Sequence, residues 1–142
     1  MTLLSQLAAL HHAAHRDPLT GTRNRRSYDP AGAAAVILVD IDRFKAINDT
    51  HGHEVGDEVL IELAERITGT VRAGDVVHRW GGDEFVIVAH GDPACLVERL
   101  RAVTLPPVAT SAGPLTVTVS IGAGPTLSDA DQSMYRVKES AR

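Results

Sequence analysis

The sequence predicts an α/β (α+β) domain, a single unit in which helices flank a central mixed β-sheet. Three observations lead there. Val36-Ile37-Leu38-Val39 is an unbroken apolar run, the signature of a strand covered on both faces. Val76-Val77 and the run from Phe85 to Ala89 flank Gly81-Gly82, which reads as a tight hairpin in which both glycines can take positive φ. Ile61, Leu63, Ala64 and Ile67 recur with the period of an amphipathic helix. Strands alternating with helices imply layers packed on one sheet.

The remaining elements follow in order. Residues 2–15 read as a helix in which Leu3, Leu7, Leu10 and Ala14 form a short a/d-like stripe. That stripe suits a linker or coiled coil continuing from an upstream module, or pairing two protomers; packing on its own domain is the plain alternative. His11 and His15 share a helical face, yet no partnering motif turns them into a metal site. Residues 54–71 form the long helix. Residues 93–102 form another, with Pro93 in its first turn, and Leu105-Pro106-Pro107 ends it. Residues 111–114 read as a loop and 115–123 as a strand. Ser128 or Asp129 caps a last helix reaching about Ala141.

The chain has 142 residues, enough for one domain with its own core. Its net charge of −4 argues against a general nucleic-acid surface. The single Cys95 leaves no intramolecular disulfide and suits a reducing, cytoplasmic setting. No run approaches the length of a membrane helix, and the N-terminus lacks the basic start of a secretion signal.

The chemistry concentrates in three places. The hairpin sets Asp83 and Glu84 at its bend, behind two glycines that let a ligand approach the backbone. Carboxylates there supply hard oxygen ligands for a metal-bound polyphosphate; a surface turn with solvated acids is the plainer reading. The buried strand ends in Asp40-Ile41-Asp42, and alternation is read as sending the two carboxylates to opposite sides of the sheet, one to a metal and one to structure or a second metal. Asp40 and Asp83 share divalent ions if their strands are neighbours. Lys45 lies just beyond, where a cation meets phosphate oxygens. Asn48 and Asp57 flank a glycine-bearing turn. A carboxylate accepts from the N1–H and N2–H of guanine, and an amide can serve the same edge; Asp57 could equally be a carboxylate at a helix N-terminus.

Several ordered blocks then resemble one family. Asp17-x-Leu19-Thr20-Gly21-x-x-Asn24-Arg25, Asp40-x-Asp42-x-Phe44-Lys45-x-Ile47-Asn48-Asp49, Gly52-His53-x-x-Gly56-Asp57-x-x-Leu60 and Arg79-Trp80-Gly81-Gly82-Asp83-Glu84-Phe85 are similar to the GGDEF family of diguanylate cyclases. Val117-Thr118-Val119-Ser120-Ile121-Gly122 and Ala130-Asp131-x-x-Met134-Tyr135-x-x-Lys138 resemble its last strand and helix. The resemblance implies a nucleotide-cyclase palm-like fold for residues 17–142, after a linker helix at 1–16. It implies condensation of two GTP into cyclic di-GMP and two pyrophosphates, across a homodimer. It also implies two Mg²⁺ (or Mn²⁺) per active site, held by Asp40, Asp83 and the Ile41 carbonyl. Asp83 would help deprotonate the 3′-hydroxyl, and Glu84 would support the metal site. Phe44 and Lys45 would meet the terminal phosphates, Lys45 also offsetting transition-state charge. Asn48 and Asp57 would read guanine, Gly81 and Gly82 would admit the nucleotide, and Lys138 and Arg142 would reach the triphosphate. Arg72-x-x-Asp75 resembles the family's product-binding inhibitory site, though a helix-to-strand turn would use the same residues.

Three departures stand out, one of them a short stretch between Gly122 and Ala130. Only residues 27–35 remain where the family usually has a full helix, and Asp29-Pro30-Ala31-Gly32 breaks any helix there. The usual small residues around Lys138 are Val137 and Ala141. One flank of the sheet is therefore expected to be less covered. Two rivals keep different chemistry: a non-catalytic receptor for GTP or cyclic di-GMP, and a different palm-like nucleotidyl cyclase.

Overall fold

The computed structural model describes residues 2–141. Helix α1 (Leu3–His15) begins where the Thr2 hydroxyl accepts the Ser5 N–H at 3.1 Å. No residue of α1 is buried. Leu3, Leu7 and Leu10 are 70%, 52% and 67% exposed, which removes the alternative of packing on its own domain. A 3-10 turn (Arg25–Ser27) and extended chain then replace the usual helix, as the Asp-Pro-Ala-Gly break predicts.

Strand β1 (Ala35–Ile41) is buried at every position and lies inside the sheet. Helix α2 (Phe44–His51) and helix α3 (His53–Thr70) follow, joined at Gly52. Gly52 takes φ 91°, which a residue with a Cβ rarely adopts, so two helices meet there without a loop. Strands β2 (Val76–Gly81) and β3 (Glu84–Ala89) form the hairpin. Helix α4 (Pro93–Thr104) carries Asp92 as its cap. Strands β4 (Val108–Thr110) and β5 (Gly113–Leu115) make a small two-stranded sheet where a loop is expected. Strand β6 (Val119–Gly124) is shorter than the predicted 115–123 run. Helix α5 (Leu127–Ser140) is capped by Thr126, two residues before the expected Ser128.

The main sheet has the order β2-β3-β1-β6. All three of its ladders are antiparallel, so the α/β class holds but the mixed sheet does not. Among the described residues, parallel pairing appears only in an isolated bridge between Arg23 and His78. Alternation along the strands sorts the core. Ile37, Val39, Ile41, Phe85 and Ile87 meet Val59, Leu63 and Ile67 of α3 and Leu100 of α4. Val36, Leu38 and Val86 meet Ala130 and Met134 of α5. The second layer is the thinner, as the missing helix implies. The 3-10 segment covers its flank: Tyr28 sits edge-on to both His78 and Trp80, and the Arg25 guanidinium stacks 4.4 Å from the Trp80 ring.

Candidate functional site

Asp40 continues the even-numbered face of β1, so it points to the α5 side of the sheet. Register places it opposite Glu84 on β3 and Ser120 on β6. The hairpin turn is Gly82-Asp83, and the Asp83 carbonyl accepts the Ile41 N–H at 3.0 Å. That bond ties the hairpin tip to the end of β1 and gathers Asp40, Asp83 and Glu84. The expectation of positive φ at Gly81 and Gly82 fails, since neither lies in the left-handed region. Gly81 serves by lacking a side chain: a Cβ there would sit 2.5 Å from Glu84 Oε1.

Asp40 is only 9% exposed. Its Oδ2 accepts the Lys138 ammonium from the last turn of α5, while its Oδ1 is buried with no hydrogen-bond partner. Burial raises the proton affinity of Asp83, and the Asp40 charge adds to it against the opposing Lys138. Glu84 is raised in the same way, by burial and then by Asp40 and Asp83. The hydrogen bond to Asp40 holds the Lys138 ammonium well charged, against its own partial burial. A divalent cation fits this set. It would engage the orphaned Asp40 oxygen and offset repulsion among three crowded carboxylates. Among the described residues no three His, Cys, Asp or Glu side chains form a metal cage. Such a cation would therefore draw on Asp40, Asp83, main-chain oxygen and ligand oxygen.

An open cleft of about 1000 Å³ lies in front, and Asp40, Ile41, Phe44, Lys45, Asp83 and Lys138 all line it. Asp42 lines it too, so the expectation of opposite sides fails; residues two apart on a strand share a face. The Lys45 side chain is 91% exposed and pairs with Asp49 at 2.9 Å. Asn48 and Asp57 do not line the cleft, whereas Thr50 and His51 do. Asn48 Oδ1 is buried without a partner against Gly56, where any Cβ would strike it. Asp57 is exposed on α3, beyond its first turn. Glu84 lines a separate hollow of about 390 Å³ with Arg25, Trp80 and Asp131. Gly81 and Gly82 line neither. Arg142 lies outside the described residues. Arg72 is exposed at the turn into β2, and Asp75 braces that turn by accepting the Arg72 and His90 N–H groups at 3.0 and 2.9 Å.

Two contacts carry little signal in the sequence. Asp17 accepts the Thr20 N–H and hydroxyl, each at 2.8 Å, and pairs with Arg79 at 3.4 Å. Arg79 in turn donates to the Gly82 carbonyl at 3.0 Å, so the segment before the domain's first strand holds the hairpin tip. Burial alone would raise the Asp17 pKa, but the Thr20 hydrogen bonds and the Arg79 charge together lower it. The Asp17-x-x-Thr20 spacing could have signalled the local half of this clamp. Asp42 accepts the Thr118 and Ser120 hydroxyls, each at 2.7 Å. The alternation of Thr118 and Ser120 in the final apolar segment is its only trace.

Comparison with known proteins agrees with this geometry. A family profile described as "Diguanylate cyclase, GGDEF domain" matches residues 14–142, and the chain belongs to that family. It is 38% identical over 158 residues to diguanylate cyclase DgcM of Escherichia coli, covering 94% of this chain and 38% of that relative's length. Among solved structures, the GGDEF domain of TpbB (YfiN) from Pseudomonas aeruginosa superposes with a TM-score of 0.81 at 33% identity, covering 90% of this chain and 91% of the other. The GGDEF domain of DgcB from Caulobacter crescentus, solved in complex with c-di-GMP, superposes with a TM-score of 0.78 at 25% identity, covering 91% and 90%.

Proposed function

We propose that this chain condenses two GTP into cyclic di-GMP and two pyrophosphates, with one GTP held by each of two facing copies. The observation that carries the reading is the orphaned Asp40 oxygen beside Asp83, at the mouth of a cleft that also presents Lys45 and Lys138. A 3′-oxygen attacks the α-phosphorus of the opposing nucleotide, the bond to the β-phosphate oxygen breaks, and pyrophosphate leaves with that electron pair. Asp83, in the cleft lining beside Asp40, is the group to receive the 3′-hydroxyl proton. Lys138 can exchange Asp40 for phosphate oxygens. Lys45, exposed on α2, can leave Asp49 for the terminal phosphates. Phe44 walls the cleft beneath them. Two Mg²⁺, held at Asp40, Asp83 and the Ile41 carbonyl, would activate the nucleophile and steady the leaving oxygens. Asn48 and Asp57, on α2 and α3 outside the cleft lining, are the residues that would read guanine.

Residues 17–142 form the cyclase domain and residues 1–16 a linker helix that pairs two copies through its leucines. Arg72 and Asp75 bind cyclic di-GMP and inhibit. The exposure of Arg72 at the turn into β2 and the complex formed by the DgcB domain support that assignment. Arg72→Ala is expected to leave initial turnover unchanged and to relieve product inhibition; inhibition at the wild-type product concentration would remove the assignment.

The deciding experiment incubates purified protein with GTP and Mg²⁺, resolves nucleotides by chromatography and varies protein concentration. Cyclic di-GMP forming at a rate that climbs faster than protein concentration is the expected result. GTP bound but unconverted at high concentration would replace the cyclase reading with a receptor.

A further inference from the structure

We propose that Asp42 is a positioning residue, holding the turn between β1 and α2 through Thr118 and Ser120, and is not a metal ligand. Both of its carboxylate oxygens are engaged: Oδ2 by the Thr118 hydroxyl and Oδ1 by the Ser120 hydroxyl, each at 2.7 Å. Its own N–H donates to the Thr118 carbonyl at 2.9 Å. Three bonds thus fasten the end of β1 to Thr118, just before β6, and to Ser120 within it. Hydrogen bonds to an ionised acceptor are among the strong ones. Asp40, by contrast, keeps a buried oxygen with nothing on it.

The fastening has a visible consequence one residue on. Arg43 takes φ 55°, the left-handed region, and is the one non-glycine with positive φ among the described residues. Such a conformation persists where the surroundings over-determine it. Here it reverses the chain so that α2 starts directly from the strand end. Helix α2 has no side-chain cap and no acid in its first turn. Its opening N–H groups therefore stand at the cleft that Asp42, Phe44, Lys45 and Thr118 line. Fixing the turn fixes where those groups aim. The inference rests on the reading that terminal phosphates occupy this end of the cleft.

The test is calorimetric binding of GTP and of GMP, each with Mg²⁺, to the wild type, Asp42→Ala, Asp42→Asn and Thr118→Val. GMP lacks the phosphates that the turn would meet. The wild type is expected to bind GTP more tightly than GMP. Losing the clasp in Asp42→Ala should weaken GTP binding by about tenfold or more, with little change for GMP. Asp42→Asn should stay close to wild type, because an amide accepts from one hydroxyl and donates to the other. Thr118→Val, which keeps the carboxylate and the Ser120 contact, should show a smaller GTP-selective loss. It carries the same test should Asp42→Ala not fold. Equal weakening of GTP and GMP would mean a merely structural role. Asparagine failing as badly as alanine would mean that charge, and so metal or electrostatics, is what Asp42 supplies. Unchanged GTP binding in the alanine variant would remove the role altogether. A wild type indifferent between GTP and GMP would overturn the phosphate reading itself, and this inference with it.

Discussion

At the scale of single residues, the site is a problem of charge. Asp40, Asp83 and Glu84 are crowded onto the tip of one sheet, and Lys138 is the cation that partly balances them. Asp83→Ala is expected to leave the far-ultraviolet circular dichroism unchanged and to lower turnover by roughly a hundred- to ten-thousandfold. Wild-type turnover in that variant would unseat the assignment. His78 is a different kind of residue: 1% exposed, it serves packing, its Nδ1–H donating to the Asn24 carbonyl at 2.9 Å. Burial, reinforced by the nearby Arg23 charge, depresses its pKa despite the opposing Asn24 bond. The unfolded chain therefore binds the proton more readily, and the contribution to stability is present above the ordinary imidazole value of about 6.5. It is lost as pH falls from there through the depressed folded value. Thermal midpoints measured between pH 7 and pH 5 should fall on acidification, and His78→Phe should flatten that slope. An unaltered slope would exclude His78 as its source.

At the scale of elements, the requirement is close approach. Helix α5 lies so near β6 that a Cβ on Gly122 would strike the Ala130 carbonyl and the Met134 N–H. Backbone atoms cannot yield as a flexible side chain can. Gly122→Ala is expected to cost about 1–3 kcal/mol in chemical denaturation and to shift Lys138 away from Asp40. A variant of wild-type stability would show that the helix moves freely. The same scale explains which elements are readable in the chain. Strands β1 and β3 announce themselves because a continuous apolar run is a local signal, and α4 because Pro93 marks its first turn. The β4–β5 pair is not legible there, because three-residue strands around Gly113 and Pro114 carry little local signal against the turn chemistry of those residues.

At the scale of the whole molecule, the described residues hold one main sheet, two unequal core layers and a helix that buries nothing. Leu3, Leu7 and Leu10 stand exposed on that helix, the stripe that the proposed pairing of two copies would bury. Replacing Leu7 and Leu10 with Asp should leave the domain's thermal midpoint nearly unchanged and lower cyclic di-GMP formation most at low protein concentration. Sedimentation equilibrium should show the matching loss of dimer. Turnover unaffected at every concentration would assign dimer formation to another surface.

What the sequence determined by itself is what local physics controls. The apolar runs within residues 35–41 and 84–89, the helical period after Gly52 and the break at 29–32 each act within a few residues. So does the delivery of carboxylates to strand ends, which is why Asp40 and Asp83 stand out in the chain alone. Only the tertiary structure decided what those carboxylates meet. Antiparallel register set Asp40 opposite Glu84. The return of the chain brought Lys138 to Asp40 from 98 residues away, and Thr118 and Ser120 to Asp42. Asp17 reached the hairpin through Arg79 across the sheet edge. Asn48 and Asp57 came to rest on two helices outside the main cleft lining. The register of distant strands and the seating of helices are settled jointly by the packed core, and no window of the sequence contains that information.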